Sequence, residues 1–218
     1  MNIEEAIQMA DFNKLADAIF KGDVAEVVAT TKVLLNDGAT PLEIVNDGLL
    51  AGMNIVGPKF KAGEMFVPEV MMSARALGEG MRIVKPMLSA SDAVSVGTVV
   101  IGTVAGDLHD IGKNLVVMIL KSGGFNVIDL GIDVPPEKFV EAVKEHNPQV
   151  VGMSALLTTT MAAMKQTLDA MTEAGVREQV KVIIGGAPVT QKYADEIGAN
   201  GYASDAILAK ELCAELIG

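Results

Sequence analysis

The chain has one cysteine, Cys213, and two histidines, His109 and His146. A single thiol makes no intramolecular disulfide and no thiolate zinc cage. Cys213 itself reads as a buried helical residue within ELCAEL. His146 stands at an expected helix end beside Asn147-Pro148, and one remaining histidine cannot complete a three- or four-ligand protein cage. Positive charge is also scarce: 17 Lys and Arg stand against 28 Asp and Glu, a net charge of −11. That balance weighs against a nucleic-acid backbone or an anionic membrane surface as partner. No apolar run reaches membrane length. The opening MNIEEAIQ is acidic and amphipathic, unlike a signal peptide, so a cytoplasmic protein is expected.

What remains is a chain of 218 residues, half of them hydrophobic, enough for one large or two small domains with real cores. Its two halves differ in rhythm. Up to about residue 88 nothing reads as a strand. Leu15, Ala18 and Ile19 sit at helical spacing, and Gly22-Asp23 breaks the pattern with Asp23 placed as an N-cap. A second helix is expected from Val24 to Leu35. Thr40-Pro41 opens a third, with Glu43 set to complete a capping box. A fourth begins near Phe66-Val67-Pro68 and runs to about Pro86. Four helices with short connections predict an antiparallel bundle over 1–88. LSASDAVS, ending at Ser95, is small and polar and predicts a linker over 89–95.

From Val96 apolar runs alternate with helical stretches. VGTVVIGTV, FNVIDLG, QVVGMS and KVIIGG read as strands, with a short fifth near Gly201-Tyr202. Helices are expected at about 112–122, 135–146, 159–174, 189–196 and 205–217. Continuous apolar strands between helices predict an α/β domain over 96–218, a doubly wound, flavodoxin- or Rossmann-like parallel sheet of five strands. Ligands of such sheets bind beyond the carboxyl ends of the strands. There the sequence places Gly106-Asp107-Leu108-His109-Asp110-Ile111-Gly112-Lys113, then Ser154 to Thr160, then Gly185-Gly186-Ala187-Pro188.

His109 is the sharpest of these residues. Two positions from Asp107, one ring nitrogen can donate to the carboxylate while the other faces a ligand. A solvated loop histidine, or a pair that only holds the turn, fits the hexapeptide equally well. A metal inside a macrocycle needs one axial protein ligand, which leaves haem and corrin. Gly102, Gly106 and Gly112 do not form G-x-G-x-x-G, and no phosphate-cradling G-x-x-x-x-G-K-[ST] is present. Gly185-Gly186 could be a plain turn or bare backbone against an extended ligand.

Asp107-x-His109-x-x-Gly112, Ser154-x-Leu156 and Gly185-Gly186 together resemble the cobalamin-binding signature D-x-H-x-x-G, S-x-L, G-G in order and spacing. Gly52-Met53-x-x-Val56-Gly57 and Phe66-Val67-Pro68-Glu69-Val70 are similar to the helical cap of methionine synthase's cobalamin module. The resemblance covers nearly the whole chain and points to the corrinoid proteins of methyltransferase systems. It implies cobalamin or a related corrinoid (methylcobalamin, cob(I)alamin) as cofactor, with His109 as the axial ligand to cobalt. Asp107 would be the hydrogen-bond partner of His109, and Thr160 the hydroxyl behind the pair, where methionine synthase has serine. Leu108, Asp110, Ile111 and Gly112 would complete the binding loop. Ser154, Leu156, Thr158, Gly185 and Gly186 would line a slot for the nucleotide tail. Phe60, Val67, Val70 and Met71 match apolar cap positions over the methyl-bearing face, where ordinary bundle core would demand the same side chains.

The implied activity is that of a methyl carrier rather than of a catalyst in its own right. Cobalt would take a methyl group from a substrate:corrinoid methyltransferase of methylamine, methanol, betaine or aryl methyl ether type. A second methyltransferase would pass it to a thiol or tetrahydrofolate, and a reductive activase would restore oxidised cobalt. The bundle is expected to swing about Leu88–Ser95. The competing readings are a subunit of an adenosylcobalamin mutase, which would lack the cap, and a cobalamin-sensing regulatory module. A response-regulator module would need an acidic cluster at the first strand end.

Overall fold

A computed structural model of the chain describes residues 3–88 and 95–218, and the chain divides into two compact units, 1–94 and 95–218. Of the expected linker, all but Ser95 lies outside the described residues.

The first unit is helical, with α1 (Ile3–Lys21), α2 (Val24–Asn36), α3 (Pro41–Glu43), α4 (Ala51–Lys61) and α5 (Val67–Val84). Asp23 caps α2 by accepting from the Glu26 amide at 3.0 Å. The Thr40 amide donates to Glu43 at 2.8 Å and the Glu43 amide to the Thr40 hydroxyl at 3.3 Å. These are the expected cap and capping box. The third helix differs from expectation within its run: a π-helical stretch, Ile44–Leu50, joins α3 to α4. There Gly48 lies so near α1 that a Cβ would come within 2.5 Å of Leu15 Cδ2. On α5 the buried residues Val70, Ser73, Ala74, Ala76, Leu77, Gly80 and Val84 form one helical stripe. Gly80 of that stripe faces Leu49 and Val27, so the stripe is the bundle's core face. After α5 a short 3-10 turn (Lys85–Met87) ends the unit's described helices.

The second unit carries five parallel strands in the order β2-β1-β3-β4-β5. They are β1 (Thr98–Thr103), β2 (Asn126–Asp129), β3 (Val150–Ser154), β4 (Lys181–Gly185) and β5 (Gly201–Tyr202). Helices α6 (Ile111–Ser122), α7 (Pro136–His146), α8 (Ala162–Glu173), α9 (Gln191–Ile197) and α10 (Ala206–Ile217) connect and close the sheet. Neighbouring strand residues are buried on opposite faces. Val100, Val151 and Ile184 join Phe139, Met164 and Leu168 in one core. Val99, Val150 and Ile183 join Leu120, Phe125 and Cys213 in the other. Burial on both faces is why the strands read as continuous apolar runs rather than alternating ones. It also pushes the Cys213 thiol up to about 12, leaving it inert.

The strand order has a functional consequence. The chain leaves β1 toward β2 on one side and β3 toward β4 on the other, so the loops after β1 and β3 part and open a crevice. Thr103, Ser154 and Gly185 lie side by side in register at that carboxyl edge.

Candidate functional site

Asp107 sits at the bottom of the crevice with no exposed surface. A buried carboxylate is costly unless donors surround it, and here the two loops supply them. Oδ1 accepts the His109 amide at 3.0 Å and the ring Nδ1 at 2.7 Å. Oδ2 accepts the Leu156 amide at 2.7 Å, the Leu157 amide at 3.3 Å and the Thr160 hydroxyl at 2.7 Å. The Thr160 oxygen also lies 2.9 Å from the Leu157 carbonyl, but the Thr160 amide already donates there at 3.1 Å. The single hydroxyl proton therefore goes to the carboxylate, the stronger acceptor. Burial alone would raise the Asp107 carboxyl. The Thr160 hydroxyl, the His109 and Leu156 amides and the ring outweigh it and hold the group well below the usual carboxylate range.

An ionised carboxylate accepts only. Nδ1 of His109 must then carry the proton, and in the neutral ring Nε2 keeps its lone pair. The side chain is 49% exposed while its partner is fully enclosed, so the ring is held from behind and open in front. Its backbone is held too: the Thr103 hydroxyl, buried at the end of β1, donates to the His109 carbonyl at 3.0 Å. At the same edge of the sheet, Leu108, Ile111, Ile132, Leu156 and Leu157 expose large apolar side chains, all from loops or helix starts beyond the ends of β1, β2 and β3.

The expected residues separate into those that meet and those that do not. Asp107, His109, Leu156 and Thr160 form one bonded cluster. Asp110 lies beside it, bonded to the Asn114 side chain at 2.9 Å. Gly112 is exposed in the first turn of α6. Gly185 ends β4 and Gly186 follows it, and the second is required: its φ is +132°, and a Cβ there would fall 1.8 Å from the Ala155 carbonyl oxygen. Ser154 is half-buried at the edge and Thr158 exposed in the turn before α8. In the helical unit Val67 and Met71 are exposed and Phe60 is half-buried. Val70 departs from the expectation for the cap, because it belongs to the core stripe of α5 and has no surface to offer.

Sequence reasoning missed Thr103, the Leu157 amide and Lys113. Lys113 is buried in α6, and its ammonium places its three protons on Asn114 Oδ1 and both oxygens of Asp129, each at 2.7 Å. A lysine after Gly112 looks like an ordinary exposed helix residue. Only the fold shows that β2 ends in the matching carboxylate.

Among the described residues no three His, Cys, Asp or Glu side chains gather as a metal cage. A single half-exposed imidazole, on an edge whose loops also expose apolar side chains, suits a metal that brings its own remaining ligands. A family model described as a B12 binding domain matches residues 97–210, and a second with the same description matches 11–85. The chain belongs to the B12-binding family. It is 47% identical over 207 residues to a trimethylamine corrinoid protein of Methanosarcina barkeri, covering 94% of this chain and 93% of that one. It is 43% identical over 221 residues to a dimethylamine corrinoid protein of the same organism, covering both in full. Among solved structures, the methanol:cobalamin methyltransferase complex of Methanosarcina barkeri matches with TM-score 0.88 at 35% identity. That match covers 95% of this chain and 80% of that chain. The open ring nitrogen, the apolar side chains exposed by the same loops and the bare backbone at Gly185-Gly186 all fit a corrinoid.

Proposed function

We propose that this chain is the methyl carrier of a corrinoid methyltransferase system of methylamine or methanol type. It binds and presents the group and is not itself the catalyst of either transfer. The bound corrinoid supplies a cobalt that takes up and releases a methyl group. His109 would hold the cobalt through Nε2. Asp107 fixes its tautomer and direction, and Thr160 with the Leu156 and Leu157 amides keeps that carboxylate ionised. Leu108, Ile111, Leu156 and Leu157 provide an apolar bed that excludes water. Ser154, Thr158, Gly185 and Gly186, with Asp110 and Gly112 flanking the loop, form the slot for the nucleotide tail. In the helical unit, taken as a cap over 1–88 joined by a linker at 89–95, Phe60, Val67 and Met71 give an apolar face for the methyl-bearing side.

The partners follow from the chemistry. A substrate:corrinoid methyltransferase delivers the methyl group, as the kinship to a methyltransferase complex supports. A second methyltransferase passes it to a thiol or tetrahydrofolate, and a reductive activase rescues oxidised cobalt. All are cytoplasmic in this reading. Among the described residues no helix is long and apolar enough to cross a membrane.

One observation carries the proposal: a half-exposed imidazole whose Nδ1 is bonded to a fully buried carboxylate. The test is the absorption spectrum after incubation with hydroxocobalamin and gel filtration, beside His109→Ala. The wild type should retain corrinoid with axial-imidazole bands that the variant loses. A folded wild type that retains none overturns the reading.

A further inference from the structure

Asp133, in the loop between β2 and α7, has a left-handed backbone with φ +52°. For a residue other than glycine this conformation is uncommon, although aspartate is among the side chains that tolerate it best. Opposite stands Gly106, also left-handed at φ +81°, in the loop that carries Asp107 and His109. The Gly106 amide donates to Asp133 Oδ1 at 2.7 Å. The Asp133 amide donates to the Asp107 carbonyl at 3.0 Å. One residue thus grips both ends of the Gly106–Asp107 segment, and it can do so because its left-handed turn brings amide and carboxylate to the same side.

The surrounding bonds show what the grip adds. Beyond the sheet, Thr103 and Val134 continue the ladder: the Thr103 amide donates to the Gly131 carbonyl at 2.9 Å and the Val134 amide to the Thr103 carbonyl at 2.9 Å. That ladder already ties the two loops together. Asp133 instead reaches forward to the peptide that sets where Asp107 stands. The Asp107 side chain is held from the opposite loop by Leu156, Leu157 and Thr160. Its backbone and its carboxylate are therefore fixed independently, from two loops, at the base of the imidazole. An exposed residue in a sparsely populated conformation contributes little to a core, and such conformations concentrate where a site needs them.

We propose that Asp133 is a positioning residue for the Asp107–His109 pair, setting the direction in which Nε2 of His109 faces. The proposal rests on the reading of His109 as a corrinoid ligand. Three variants separate its two contributions. Asp133→Asn keeps both the acceptor and tolerance of the left-handed turn, Asp133→Gly keeps only the turn, and Asp133→Ala keeps neither. In the cofactor-free protein, long-range proton–nitrogen spectra of the His109 ring report the Nδ1–H bond to Asp107. The loaded protein reports ligation through the nitrogen splitting of the reduced cobalt resonance and through retention of hydroxocobalamin.

Asp133→Asn should match wild type in every readout. Asp133→Gly and Asp133→Ala should shift the ring spectrum and retain corrinoid about tenfold more weakly, the lower end for an outer partner of a metal ligand. Wild-type ring spectra and retention in Gly and Ala overturn the proposal, as does an Asn variant that behaves like Ala. A wild type that holds no corrinoid, with the ring shift still present in Gly and Ala, sinks the ligand reading and leaves the positioning of the pair standing.

Discussion

The sheet unit and the helical unit both expose large apolar side chains, but they are anchored differently. At the carboxyl edge of the sheet the exposed leucines and isoleucines share the loops of a ring held by one carboxylate, which is itself fixed by hydrogen bonds from a second loop. On the helical unit Phe66, Val67, Met71 and Met72 are exposed on and just before one helix, whose opposite stripe packs into the bundle core. The first arrangement sets one atom in one place. The second offers a surface. A site of the first kind needs particular residue types at particular spacings, whereas many apolar side chains can serve the second.

Asp107→Ala tests that contrast most severely. It removes the shared acceptor of the Leu156, Leu157 and His109 amides and the His109 ring, and leaves the Thr160 hydroxyl only the Leu157 carbonyl. A loss of about 3–5 kcal/mol by chemical denaturation is expected. Asp107→Asn sharpens the point through pH. The wild-type carboxyl is held below its unfolded value of about 3.9, so its contribution is complete above that pH and is lost as the pH falls through the lower folded value. The variant's amide does not titrate, so its acid limb should be shallower. Equal acid limbs would mean that the charge of Asp107 is not what holds the loops.

Gly186→Ala should come next, at about 3 kcal/mol. Its Cβ would meet a backbone carbonyl at 1.8 Å, in a conformation that L side chains rarely adopt. The matched change in the helical unit is Gly48→Ala, where the nearest atom is Leu15 Cδ2 at 2.5 Å. That is the end of a buried side chain rather than backbone, and the conformation itself is helical, so about 1–2 kcal/mol is expected. Thermal unfolding of the two variants reads the difference. Equal losses would break the claim that the sheet edge is the more tightly specified region.

The same asymmetry explains what was legible. Four of the strands, their parallel direction and the helices on both faces follow from continuous apolar runs alternating with amphipathic ones, because burial on both faces produces that pattern; the strand order came only with the fold. Asp107 and His109 were legible as a hydrogen-bonded pair because a histidine two residues from an aspartate can close on it, and Gly186 because bare backbone at a strand end admits few residue types. Lys113 was not, because its partner Asp129 comes from another element and neither residue looks unusual in its own. Asp133 was hidden for a related reason: nothing in IDVPP announces a left-handed turn. Val70 and Met71 are adjacent and both apolar, and only the phase of α5 shows that one is core and the other surface. The π-helical stretch lacks even that much signal, since Asn46-Asp47-Gly48 would suit a loop equally well.

Thr160→Val asks how much of the fixed centre depends on one hydroxyl. Valine keeps the methyl that lies near Gly106, where a Cβ would come 3.6 Å from Thr160 Cγ2, but it removes a donor to Asp107. The expected loss is about 1–2 kcal/mol, with the His109 ring spectrum shifted because Asp107 Oδ2 is left short of one bond. Thr160→Ser keeps the donor and should restore the ring spectrum even where it recovers only part of the stability. A Ser variant as altered as Val would assign the role of Thr160 to packing.

Met71→Gln should have the smallest effect on the fold and decides the most about the helical unit. Met71 is 52% exposed, so unfolding free energy should move by less than about 0.5 kcal/mol. If its face shields the methyl-bearing side of the corrinoid, added cyanide should replace the upper ligand faster in the loaded variant than in wild type. Met72→Gln, one residue on and equally exposed at 54%, points about 100° away around the helix and supplies the control. Faster exchange in Met71→Gln alone would give the helical surface a direction, as the hydrogen bonds give one to His109. Identical exchange in both variants would leave it an apolar face of the bundle without a role at the cofactor.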